Sequence, residues 1–320
     1  MMTSKEILDN FSKIDSKTLV AAKYIVGQNP FLYEEEYGVD VVHYTDSMLS
    51  DMLLVKKKYY RLFYLSKAIL YYRQFYDYCI DCGYIEYNPV DKNSLYFSYE
   101  YMMRKIVDLG NIDLYSKDYV ISRCNTQGNN SPYYRSIALS IYEGVKDCNI
   151  LAQIKYDDVD FKNRMLTKDE LNILISDKLI ESYQDMYSLK IFEVPSNKLG
   201  MCFDDSNGML IRQLVRNGET KASGSPIIFR KSLTKRIVEL ALDGAFLYDS
   251  GLIFRLIDIL GKDKLIEILD YDETRPKIEK INNNVLMQNA LLKAGSTLSS
   301  KNFVYEYRVY GLCLKYNKIK

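Results

Sequence analysis

Between Lys56 and Arg73 the chain carries six basic side chains, Lys56, Lys57, Lys58, Arg61, Lys67 and Arg73, and no acidic one. Arg230, Lys231, Lys235 and Arg236 form a second basic cluster at the start of an expected helix. Clusters of this kind suit phosphate, because affinity for a polyanion follows local lysine and arginine density rather than net charge. A solvated helix face is the plainer use of so short a run. Other chemistries find less support. His43 is the only histidine in the chain, and its place beside Glu34, Glu35 and Glu36 reads as a solvated or lightly packed position. Cys79 and Cys82 make a lone C-x-x-C with no second pair to complete a zinc site; on a helix they read as packing residues. No phosphate-binding glycine loop, nucleophile elbow or H-E-x-x-H pair is present. Neither a cofactor nor a metal is expected.

The elements that must position these groups follow from length and pattern. At 320 residues, with 48% hydrophobic and 27% charged side chains, the chain is large enough for two globular domains. A net charge of +1 excludes a uniformly basic binder and leaves room for a patch. Thirty tyrosines and no tryptophan suggest an AT-rich genome. The N-terminal residues lack the apolar core of a signal peptide, and no apolar run reaches the roughly 20 residues that span a bilayer. Six scattered cysteines read as reduced thiols. These features predict a cytoplasmic protein with no membrane contact.

Residues 1–92 read as a helical domain. Leu62, Leu65 and Ile69 fall on one face of a helix that stops at Cys82-Gly83, where glycine favours a helix end. An extended stretch to Pro89 follows. Residues 93–115 read as a linker with one short helix, Tyr99 to Leu109. In the remainder, 116–320, helices are expected at 116–126 and 132–144, with a loop at Gln127 to Ser131 between them. Short strands are expected at 158–165 and 188–194. A helix at 233–242 should close at Gly244; others are expected at 252–260, 265–269 and 281–292.

Three patches resemble one family. Residues 142–161, from Tyr142-Glu143-Gly144-Val145-Lys146 to Asp158-Val159-Asp160, resemble the G-x-R-x-x-E-L-x-x-L-x-x-x-D-I-D signature of the tyrosine recombinases (phage integrases). Residues 67–90, ending Gly83-Tyr84-Ile85-Glu86-Tyr87-Asn88-Pro89, resemble the end of that family's helical core-binding domain. Residues 245–251, through Leu247, Ser250 and Gly251, resemble the tail of its H-x-L-R motif. The resemblance implies a mostly α, α+β architecture: a SAM-like core-binding domain over 1–92 that clamps duplex DNA, and a catalytic-type domain over 116–320.

It also implies a loss of chemistry. These enzymes cleave DNA with a tyrosine, assisted by two arginines and usually histidine, whose forked and cationic donors stabilise charge on the phosphate. The match puts the first arginine at or next to Lys146, the histidine at Ala245 and the second arginine at Tyr248. A rival register places Ser232 to Lys235 at that motif and also lacks histidine. Tyr271 follows Leu260-Gly261-Lys262 at the distance of the nucleophile, whereas the first register puts that position near Ile281. Asp158 and Asp160 match structural acids of the signature. The expected function is therefore sequence-specific binding of double-stranded DNA without recombination, serving as a transcriptional repressor in a prophage of a bacterial host. Lys56, Lys57, Lys58, Arg61, Lys67, Arg73, Lys146, Lys155, Arg230, Lys231, Lys235 and Arg236 are the expected phosphate contacts. The alternatives are an integrase that uses Tyr271 and a non-catalytic protein partner in a recombination complex. Self-association through residues 276–320 is a further possibility.

Overall fold

The computed structural model describes residues 2–56, 62–91, 93–110, 112–194, 197–216, 219, 225–270 and 276–320. Lys57, Lys58, Arg61 and Tyr271 lie outside the described residues. The chain divides into two compact units, Met1–Ile112 with Phe303–Cys313, and Asp113–Asn302 with Leu314–Lys320. Most of the expected linker, including its helix, thus belongs to the first unit, and the expected tail is shared between the two. Among the described residues no helix is long and apolar enough to cross a membrane.

The first unit is helical. Its elements are α1 (Ser4–Ser12), α2 (Ser16–Gln28), α3 (Glu34–Tyr37), α4 (Asp46–Ser50), α5 (Leu62–Asp81) and α6 (Tyr99–Asp108). Capping sets the starts of α1 and α2, where Thr3 and Asp15 each accept a hydrogen bond from the third residue onward and receive one in return. α4 runs on into a π-type stretch at Asp51–Lys56. The core gathers Phe11, Ile25, Leu49, Met52, Leu53, Tyr72, Phe75 and Tyr76; Phe11 meets Phe75 edge-on with centroids 5.7 Å apart. Residues of a late helix, α15 (Ser300–Lys315), complete this unit with buried Phe303, Tyr307 and Tyr310. Tyr305 hydrogen-bonds Ser66 of α5 at 2.8 Å, and the Arg308 guanidinium lies 3.8 Å from the centre of the Tyr99 ring.

The second unit combines helices with two small antiparallel sheets. Its elements are α7 (Lys117–Asn125), α8 (Ser131–Tyr142), α9 (Cys148–Leu151), β1 (Val159–Asp160), β2 (Met165–Lys168), β3 (Leu171–Leu174), α10 (Asp177–Ser188), β4 (Phe192–Val194), β5 (Asn197–Asp204), β6 (Gln213–Arg216), α11 (Pro226–Glu239), α12 (Gly244–Leu260), α13 (Lys262–Leu269) and α14 (Lys277–Lys293). The strands pair in order β1-β2-β3 and β4-β5-β6. α8 is the hub: α7, α10, α11 and α12 all pack on it, and ten of its residues from Ser131 to Tyr142 are buried.

The tightest contact in this unit is between α8 and α12. Gly251 lies against the backbone of Tyr142 so closely that a methyl group there would overlap the Tyr142 carbonyl. Ser250, fully buried, accepts a 2.9 Å hydrogen bond from the backbone N–H of Tyr115. The Ser250-Gly251 pair is therefore a packing device. Many buried tyrosines behave similarly, each apolar in body and tied at its hydroxyl. Tyr44 donates to the Pro30 carbonyl at 3.0 Å and Tyr133 to that of Arg212 at 3.1 Å. Tyr183 and Ser140 share a 2.7 Å bond.

Two local expectations fail for identifiable reasons. Gly244 opens α12 instead of closing the preceding helix, because Asp243 caps the new one by accepting from the N–H groups of Ala245 and Phe246 at 2.8 and 3.1 Å. The preceding helix ends at Glu239, and Ala241 takes the left-handed turn at φ 54°. β3, β5 and β6 are absent from the sequence reading. In β5 the alternation is broken at Gly200, whose φ of +64° sits where β4 and β5 shift register.

Gly251→Ala should destabilise the protein by at least about 2 kcal/mol, since the added carbon meets rigid backbone rather than a movable side chain; urea titration of the two proteins checks this. Burial also pushes the thiols of Cys79 and Cys124 up to about 12, whereas Cys82 is exposed. Under native conditions a maleimide should label Cys82 well before Cys79 or Cys124, as read by peptide mass mapping.

Candidate nucleic-acid interface

The C-terminal end of α8 is held from several sides. Glu143, buried, accepts from the Lys117 ammonium at 2.7 Å and from the backbone N–H of Ser176 at 2.7 Å. Ser176 in turn caps α10. Arg255 of α12 donates to the Tyr142 carbonyl at 2.6 Å and to the Ala294 carbonyl at 3.1 Å. Gly144, at φ +134°, lets the chain turn beneath Ile173 of β3. The residues that follow leave this clasp at a fixed point. There Lys146 stands exposed, and it forms no ion pair with a described residue.

The path then runs onto α9 and, through it, onto the basic helix α11. Asp147 caps α9 by accepting from the N–H groups of Asn149 and Ile150. α9 packs on α11, and the Cys148 thiol lies beside the Thr234 side chain. Thr234 lies between Lys231 and Lys235, both exposed, and Lys235 pairs with Glu239 at 3.9 Å. Arg230, half-buried, precedes them on the same helix. Arg236 points the other way: its guanidinium bonds Glu239 at 2.8 Å, stacks 4.7 Å from the Phe192 centroid, and its side chain is 14% exposed. Lys155 is exposed in the turn before β1, where its backbone bridges to Met209.

Ala245 and Tyr248 occupy the first turns of α12, both half-buried. Burial raises the Tyr248 hydroxyl above the ordinary phenol range, with Arg255 opposing the shift. A methyl group and a neutral phenol supply no cation to a phosphate. The guanidinium nearby in sequence, Arg255, is engaged with the two carbonyls it closes. Arg255, Glu143 and Lys117 went unnoticed in the sequence; the legible signal for Arg255 was a lone arginine in the apolar run Gly251-Leu252-Ile253-Phe254-Arg255-Leu256-Ile257.

In the first unit, Lys67 is exposed on α5, with its ammonium 5.9 Å from the Tyr24 ring centre and 5.8 Å from that of Tyr71. α2 packs along α5 and adds exposed Lys17 and Lys23, which the sequence reading also passed over. Lys56 pairs with Glu36 at 2.7 Å, so one end of the basic run already has an anionic partner. Arg73 donates to the Val90 carbonyl at 3.0 Å and pins the extended stretch after α5. His43 is exposed. Among the described residues, no group of three or more metal-ligating side chains comes together.

Removing Glu143 leaves the Lys117 charge and the Ser176 N–H without their acceptor, so Glu143→Ala should cost about 2–4 kcal/mol. Lys146→Ala should stay within about 0.5 kcal/mol. Chemical denaturation of both variants separates the group that builds the clasp from the group it presents.

No family model matches the chain, and no curated protein matches it. Among solved structures, the crystal structure of XerA recombinase is similar over 98% of this chain and 98% of that one, at 11% identity and a TM-score of 0.35.

Proposed function

We propose that this protein binds double-stranded DNA and does not cut it. The observation that carries the reading is the exposure of Lys146 just past a buried clasp at the end of α8, ahead of α9, which packs on the helix that carries exposed Lys231 and Lys235. A rigid scaffold there presents cations to solvent, while positions 245 and 248 offer none. Lys17, Lys23 and Lys67 on the α2–α5 pair give the first unit exposed cations of its own. Lysine ammonium groups hold phosphate as point charges and without the bidentate grip that transition-state stabilisation favours. Such a surface suits retention of the duplex more than cleavage of it.

The motif resemblance extends this to a tyrosine-recombinase architecture that has lost its catalytic set. A binder of that kind acts by occupancy, and repression of transcription from operator sites in a prophage is the use it fits. The resemblance to the master repressor of SPβ-type prophages, a catalytically silent protein of that fold, points the same way and implies maintenance of lysogeny.

Genomic fragments retained by the purified protein at near-physiological salt should share a short duplex site upstream of genes. Retention with no shared site would reduce the protein to a nonspecific binder, and no retention would sink the reading. On that site, each of Lys67→Ala, Lys146→Ala and Lys231→Ala should weaken binding and lower the slope of log affinity against log salt by about 1. Nicked duplex carrying the site should trap no covalent adduct; an adduct lost in Tyr271→Phe would instead identify an active recombinase.

A further inference from the structure

The helix α14 (Lys277–Lys293) has two apolar faces, and the second unit uses one of them. Met287, Ala290 and Leu291 are buried on the side that packs toward α12. On the opposite side Ile278, Ile281, Val285 and Leu292 are 74%, 51%, 57% and 63% exposed. At about 100° per residue these four side chains fall within an arc of about 60°. Their spacing of three, four and seven residues is the heptad seam that a second helix fills. A solvated helix face has no reason to hold four branched aliphatic residues in one line.

The composition of the flanks selects the occupant. Asn282 and Asn289, both exposed, border the stripe on one side, Gln288 on the other is tied to the backbone of Leu298 and Ser300, and no charged side chain falls within the arc of the stripe. A carboxamide both donates and accepts hydrogen bonds, so a face edged with them meets an identical face without like-charge repulsion. An acidic or basic partner would have nothing complementary to read there. Ile278 and Leu292 also stand seven residues on either side of Val285. A two-fold axis at Val285 therefore sets Val285 against itself, Ile278 against Leu292 and Ile281 against Asn289, with the two helices antiparallel and their dipoles opposed.

We infer that this protein forms a homodimer through the exposed face of α14, with Val285 at the two-fold axis. The seam is short beside the roughly 800 Å² per partner of a standard interface, so the dimer is weak in free solution. On a duplex with two half-sites each copy raises the local concentration of the other, and the pairing becomes effective there.

The dimer inference is testable without DNA, so its failure is separable from failure of the DNA reading. In sedimentation equilibrium over a dilution series, the mass of the full chain should rise from 37.4 kDa toward twice that value as concentration increases. The double variant Ile281→Asp with Val285→Asp should stay monomeric while its thermal unfolding remains that of the parent, since both side chains face solvent. In a Cys82→Ser background, which removes the exposed native thiol, oxidised Val285→Cys should give a covalent dimer, and Ile278→Cys, displaced from the axis, should not. A parent protein that stays monomeric throughout would overturn the inference. So would a dimer that survives the double aspartate change, or an Ile278→Cys protein that cross-links as readily as Val285→Cys.

Discussion

The second unit depends on one close approach, that of Gly251 to the carbonyl of Tyr142. Two helices can come this near only where one of them carries no side chain, and the gain is dispersion contact along both backbones. The same carbonyl receives the Arg255 guanidinium one turn later on α12, at 2.6 Å. Glue and spacer thus sit on one helix, separated by one turn. With α12 fixed on α8, the carboxylate of Glu143 has a set position from which to gather Lys117 and the cap of α10. The chain leaving α8 at Gly144 then has one path. If the approach were relaxed by a fraction of an ångström, the group that loses its address would be Lys146.

This arrangement separates two roles that a list of basic residues merges. Arginines in this protein tend to close carbonyls or stack on aromatic rings: Arg255 on Tyr142, Arg73 on Val90, Arg236 between Glu239 and Phe192. The lysines at the surface, Lys17, Lys23, Lys146 and Lys231, are the ones left in solvent. The division follows from the groups themselves. A guanidinium is planar, weakly hydrated and able to donate in several directions, so it tolerates burial among carbonyls; an ammonium holds its water.

Some of this was legible in the sequence and some was not. Ser250-Gly251 stood out as a motif tail, and its burial on α8 accounts for why those two small residues occur there. The helix ending at Gly83 and the break at Gly261 follow from glycine alone, and both positions have φ above 70°. The inward turn of Arg236 was invisible, because the ring it stacks on, Phe192, lies more than forty residues away in the chain, and a short strand there gives no sign of which helix it meets. Lys17 and Lys23 escaped notice for the opposite reason: cations spread along α2 make no run. The abundance of tyrosine was read as a matter of codons. In the folded chain it is also a core chemistry, since Tyr44, Tyr133 and Tyr183 add a directed hydrogen bond to the area they bury.

The first unit is discontinuous. Its core includes Phe303, Tyr307 and Tyr310, while residues 113–302 belong elsewhere, and the backbone of Lys320 returns to pair with Leu114 and Ser116 in the second unit. Ribosomal synthesis is vectorial, at roughly 5–20 residues per second, so α1 to α6 emerge long before the helix that completes their core. During that interval the first unit must wait with apolar surface uncovered, while the second acquires nearly all of its own residues. Each unit thus waits on the other's synthesis: the first is completed only after nearly all of the second has been made, and the second closes with residues 314–320.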